Sequence, residues 1–170
     1  TTRRHPACRA GRSICFGPAV AHWGNGWRPM MGRRIVSISL PQFAMERWQR
    51  VMERQGNAPP DDIPIVLARE GHHGPVIHAT NRAARMNGIN PGSRVVDMRA
   101  ICPELQVEYA DPAGDRAALD RLVLWARRWC PWTVRDGEDG LILDTTGSDH
   151  LMGGEAAMLV EMEAQLSLLG

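Results

Sequence analysis

Between Ile35 and Leu168, short period-2 runs alternate with helix-length stretches, and this alternation constrains the fold most. Ile35-Val-Ser-Ile-Ser-Leu40 is β-branched and alternating, which predicts a strand with Val36, Ile38 and Leu40 on one face and Ser37 and Ser39 on the other. Pro41 ends it. Gln42 to Arg54 predicts a helix with Ala44, Trp48 and Val51 or Met52 as an apolar stripe and Glu46–Arg50 as an i,i+4 pair. A Gly/Pro/Asp loop over 56–62 follows, then strands at 63–69 and 75–79 joined by Glu70-Gly-His-His-Gly74. Short helices are expected at 82–87, capped by Thr80 or Asn81, and at 94–102, capped by Ser93. A strand at 105–109 precedes the longest helix, 115–130, with Ala118, Leu122, Trp125 and Trp129 on one side. Strands at 132–135 and 140–145 flank a turn at Asp136-Gly137, and a helix spans 155–168. The pattern is α+β or α/β.

With 44% hydrophobic residues, the 170-residue chain can bury a core. Its apolar runs fall well short of the roughly 20 residues of a membrane span, and no secretory h-region follows the N-terminal arginines. Cysteines 8, 15, 102 and 130 have no metal-ligand spacing and are too sparse for a disulfide framework, so a reducing, cytoplasmic setting is expected. Charge is uneven. Residues 1–34 hold seven arginines and no acid, whereas 35–170 hold 13 arginines against 19 acids, a net of −6. The globular part is therefore no strongly basic nucleic-acid binder, and any such contact has to come from a local patch. Residues 1–30 lack periodicity and read as a disordered or non-native leader, with Met31 as the natural start.

There is no lysine and no phosphate-binding Gly-Lys loop, and no G-x-S-x-G elbow. His72-His73 lacks a third ligand and reads as a solvated hairpin tip; Cys102 and Cys130 read as core. What stands out is a serine-bearing first strand, an arginine-containing insert, and Glu138-Asp-Gly-Leu-Ile-Leu-Asp-Thr-Thr-Gly147.

Those segments carry a resemblance. Arg34-Ile-Val-Ser-Ile-Ser-Leu-Pro-Gln-Phe-Ala, Ile63-Pro-Ile-Val-Leu-Ala, Ala79-Thr-Asn-Arg-Ala-Ala-Arg-Met-Asn-Gly-Ile, Ala100-Ile-Cys-Pro-Glu-Leu and Leu143-Asp-Thr-Thr-Gly-Ser, in that order, resemble the N-terminal half of Y-family (UmuC-like) DNA polymerases. The Ser-Leu-Pro and Asp-Gly-Leu segments are similar to its ImuB-type branch. The resemblance implies a truncated palm, a mixed sheet with helices on one face, from 31–41 and 105–170, with fingers inserted at 42–104. Active members hold two Mg²⁺ on palm carboxylates. Here the first-strand metal Asp falls on Ser39, its companion on Pro41, and the later Asp-Glu pair on Asp139 and Gly140. Asp139 is thus the residual metal position. No catalytic residue and no cofactor are expected, with Mg²⁺ only if polymerase activity persists.

The triphosphate-contacting Tyr and Arg of active members fall on Arg82 and Arg85, the expected nucleotide- or DNA-binding residues, and the ribose-screening aromatic falls on Ala44. The implied function is a non-catalytic adaptor in translesion synthesis, DNA repair and damage-induced mutagenesis. Its implied partners are DNA, a sliding clamp, an error-prone replicative-type polymerase and a RecA-like accessory protein, with no membrane. The competing readings are an active error-prone polymerase and an unrelated α/β nucleotide-binding domain.

Overall fold

The computed structural model describes the backbone of 13–18 and residues 33–168. The leader expected at 1–30 lies outside the described residues except for Ser13–Pro18, which forms strand β1. Its partner is β2 (Arg34–Ser39), antiparallel, with Ser13 opposite Ser39. Ladder hydrogen bonds use the backbone alone, so a stretch without side-chain periodicity can still add to an open edge.

The chain forms two compact units, residues 1–41 with 116–170, and residues 42–115. In the first, β6 (Thr133–Asp136) and β7 (Gly140–Asp144) complete an antiparallel sheet of order β1-β2-β7-β6. The alternation in β2 acts as expected. Val36 and Ile38 are fully buried, as are Leu143 and Leu141 opposite them, while Ser37 and Ser39 on the other face stay half-exposed. Helix α4 (Pro112–Ala126) starts three residues before the expected 115. Asp111 caps it by accepting the Gly114 N–H at 2.9 Å, and Pro112 takes the first helical position, which needs no N–H donor. Its buried residues in this unit are Leu119 and Ala126. After Ala126 the chain tightens into turns, with Trp129 N–H on the Ala126 carbonyl at 3.1 Å, so the expected helical stretch 127–130 is not helical. A 3-10 turn (Asp149–Met152) leads to α5 (Glu155–Leu168), which buries Met158, Met162 and Leu166 at i, i+4, i+8.

The second unit holds a three-stranded sheet of order β4-β3-β5. Strand β3 (Ile65–Arg69) pairs antiparallel with β4 (Val76–Thr80) and parallel with β5 (Gln106–Tyr109). Because β5 joins β3, the second unit runs to Asp115 and includes 105–115, which the resemblance assigned to the palm. β3 is a continuous apolar run because both its faces are covered. Val66 and Ala68 join Ile77, Ala84, Ile89 and Val95, whereas Leu67 packs with Met45 and Ala79. Met45 lies on α1 (Phe43–Arg54), Ala84 on α2 (Arg82–Met86) and Val95 on α3 (Val95–Ile101). The expected cap Ser93 does not cap α3. Its carbonyl accepts the Ile77 N–H at 2.9 Å, and Arg94 forms a bridge to Val76, so the helix starts later.

Candidate functional site

Two places collect the candidate residues, one in each unit. The first is the end of the central strand pair. Ser39 lies opposite Gly140, Gly140 lies opposite Asp136, and the Leu40 N–H donates to the Asp139 carbonyl at 2.7 Å. Antiparallel partners point to the same face, so Ser39, Gly140 and Asp136 form one row across three strands. Asp139 stands exposed at the end of that row. The fold therefore brings Ser39 to Asp139 and Gly140, about a hundred residues further along the sequence.

Asp136 is the residue that sequence reasoning missed. It reads as a turn residue beside Gly137. The structure instead makes a three-residue connection over 137–139, with Gly137 at φ 62°, and β6 extends through Asp136. Alternation counted from the buried Thr133 is the signal that would have placed Val134 and Asp136 on the outward face.

Gly140 is also sterically closed. A Cβ there would sit 2.8 Å from the Asp136 carbonyl oxygen, 3.3 Å from the Asp136 Cβ and 3.4 Å from the Ile38 carbonyl oxygen. Among the described residues, no three His, Cys, Asp or Glu side chains cluster to hold a metal ion. His72 and His73 lie exposed in the β3–β4 connection, ring edge to face at 4.8 Å. Cys102 is buried, and that burial, with Glu104 beside it, pushes its thiol up. Cys130 is buried and bonds to the Asp144 carbonyl.

The second place is α2. Asn81 caps it, accepting the N–H groups of Ala84 at 2.8 Å and Ile65 at 3.1 Å and donating to the Ile63 carbonyl at 2.8 Å. This cap fixes the start of the helix and so the position of Arg82 and Arg85, both exposed. The two are not equivalent. Arg85 donates to the Thr80 carbonyl at 2.7 Å and to Gln42 Oε1. Arg82 has no hydrogen bond or ion pair among the described residues, and with Glu53, Pro60 and Asp61 it lines a cleft of about 100 Å³. Ala44, half-buried on α1, packs beside the Met45–Leu67–Ala79 cluster.

A third cluster of charge is structural. Arg47 on α1 donates to Asp115 and, at 2.8 Å, to Asp111, joining two helix starts within the second unit. The Gly114 N–H and then Arg47 hold the Asp111 carboxyl below its usual range.

With these positions in hand, comparison with known proteins is decisive for family. The profile of the impB/mucB/samB family (IMS) matches residues 51–168. Protein ImuB from two strains of Caulobacter vibrioides is 49% identical over 83 residues, which is 49% of this chain and 18% of the relative. The chain thus matches less than a fifth of these relatives' length. Among solved structures, DinB from Sulfolobus solfataricus aligns at TM-score 0.57 and 14% identity, covering 68% of this chain and 33% of that one. The post-insertion binary complex of Dbh DNA polymerase aligns at 0.63 and 14%, covering 77% and 36%. Sheets, insert and sequence profile agree: the chain belongs to the impB/mucB/samB family and has the palm-and-fingers fold of Y-family DNA polymerases.

Proposed function

We propose that this chain is the polymerase-like part of a non-catalytic adaptor in DNA-damage tolerance and induced mutagenesis, working in the cytoplasm. One observation carries the reading: the row at the strand end is Ser39–Gly140–Asp136, where a two-metal palm needs carboxylates on both central strands. Mg²⁺ is a hard ion that requires near-octahedral oxygen ligands, and nucleotide transfer adds a triphosphate whose charge the metals must neutralise. A serine hydroxyl brings no charge, and Gly140 brings no ligand. This donor set does not fit a two-magnesium centre. Nor can a side chain simply be regained at 140, because the Asp136 carbonyl occupies the space at 2.8 Å. The ImuB relatives support the branch.

On this reading the fold is retained for assembly. DNA, a sliding clamp, an error-prone replicative-type polymerase and a RecA-like accessory protein are the partners, as the resemblance implies. Arg82 supplies a phosphate contact, since its guanidinium, which has no partner among the described residues, is available to bind one. Among the described residues, no helix is long and apolar enough to cross a membrane.

A second reading has one observation in its favour. Asp136 shares the row with Ser39, so Asp136 and Asp139 could serve as rearranged ligands of an active polymerase. Primer extension by the full chain with Mg²⁺ or Mn²⁺ separates the two. The adaptor reading expects no template-directed incorporation. Incorporation that disappears in Asp139→Ala or Asp136→Ala would establish the active enzyme instead.

A further inference from the structure

Helix α4 and the turn that closes it concentrate positive charge in the first unit. Residues 116–135 hold five of the 13 arginines found in 35–170 and one of its 19 acids. That acid, Asp120, is already engaged by Arg135 at 2.7 Å. Arg135 shares a sheet face with buried Thr133, so α4 lies across the sheet from the Ser39 row. Arg121, Arg127 and Arg128 are exposed, and none has an ion pair among the described residues. Residues 1–34 contain no acid that could neutralise them. Leu124, 60% exposed, follows Arg121 by one turn on the same face. Arg128 sits in the closing turn, four residues after Leu124. Its guanidinium lies 4.5 Å from the centre of the Trp125 ring and 5.9 Å from that of Trp129, and its Nε donates to the Trp125 carbonyl at 3.2 Å. The two indoles are nearly perpendicular, with centroids 4.8 Å apart. Stacking and that one hydrogen bond orient the side chain, while its Nη groups have no hydrogen bond among the described residues. A planar fork held in this way is prepared to receive an anionic group on two N–H donors.

We infer that this surface docks an acidic amphipathic segment of a protein partner, whose carboxylates meet Arg121, Arg127 and Arg128 and whose apolar side chains cover Leu124. Charge complementarity selects an acidic occupant, and Leu124 selects a polypeptide over a polynucleotide. A phosphodiester backbone would pair with the arginines but leave the leucine uncovered. Bases would need an open aromatic ring to stack on, and here Trp125 is half-buried beneath Arg128 while Trp129 is buried. Arginine clusters are a recurring means of reading acidic motifs, and arginine is among the residues on which binding energy concentrates. The surrounding positive charge also speeds encounter with an acidic partner. The inference goes beyond the proposed function and does not depend on the missing metal ligands, which primer extension reads separately.

The test is a display library of random 12-residue peptides panned against the full chain. The inference expects enrichment of peptides that combine Asp or Glu with apolar residues. Their affinity should fall at least tenfold in the double variant Arg121→Gln/Arg128→Gln and at least threefold in Leu124→Ser. Arg128→Lys, which keeps the charge but loses the planar fork, should cost less than Arg128→Gln. Arg127→Glu, exposed beside the pair, serves as a second blocking variant should the double variant unfold. A 30-nucleotide DNA should bind parent and blocked variant within threefold of each other. Four results would each overturn the inference. These are no enrichment of acidic peptides, enriched peptides that bind the blocked variants as well as the parent, a tenfold loss of DNA affinity in the double variant, and a dimer of this chain that Leu124→Ser dissociates.

Discussion

The two units handle charge in opposite ways. In the second, Arg47 joins Asp111 and Asp115 between two helix starts, and Asn81 satisfies three backbone groups at another. In the first, the side chains of Ser39, Asp136 and Asp139 have no hydrogen-bond or ion-pair partner among the described residues, although they crowd one strand end. The difference teaches where to look for function. Paired, partly buried charge is explained by the fold itself. The strand-end row is not explained by the fold, and it contains Ser39 and Gly140, positions on which the resemblance expects metal-binding acids.

Substitutions sharpen that contrast, beginning with the largest effect. Arg47→Ala leaves Asp115, 7% exposed, without its cation, and should cost about 3–5 kcal/mol in denaturant unfolding. An unchanged midpoint would mean the cluster is as dispensable as the strand-end row. Asn81→Ala removes a cap and strands the buried Ile65 N–H, so a loss of roughly 2–3 kcal/mol is expected by the same assay. Gly140→Ala forces the Asp136 carbonyl to move and should cost about 1–3 kcal/mol, whereas Ser39→Ala should be near neutral. Equal tolerance at both positions would reopen position 140 to a side chain.

Smaller effects separate the two arginines of α2. If Arg82 meets phosphate, Arg82→Ala lowers the slope of log affinity against log salt for DNA by about one, with the melting temperature unchanged. Arg85→Ala should instead lower the melting temperature, because Arg85 ties Thr80 to Gln42. Smallest is a pH effect. Asp111 titrates below its unfolded value, so its stabilisation is present above about pH 4 and fades as pH falls through the lower folded value. In Arg47→Ala that acid sensitivity should shrink in pH-dependent unfolding.

Much of the fold was legible because its signals are local. The run Ile35–Leu40 declared both a strand and its buried face, and the helix expected over 155–168 forms with those bounds. What failed was set by tertiary contacts. Ser93 looked like a cap, yet its carbonyl serves β4. The start of α4 depends on Asp111-Pro112, a cap that lies ahead of the apolar stripe and therefore outside its periodicity. The destination of β5 could not be read from four residues, since parallel pairing leaves no local mark. At the site, Ser39, Asp139 and Gly140 were legible only through the resemblance. Asp136 was hidden by the turn that follows it, because a one-residue change in loop length decides which face it takes.

A non-catalytic palm requires that the Ser39–Asp139 end cannot hold paired divalent cations. The direct measurement is anomalous diffraction from crystals of the full chain soaked with Mn²⁺ and a deoxynucleoside triphosphate. No pair of manganese peaks is expected at this end of the sheet. Two peaks bridged by Asp139 would contradict it.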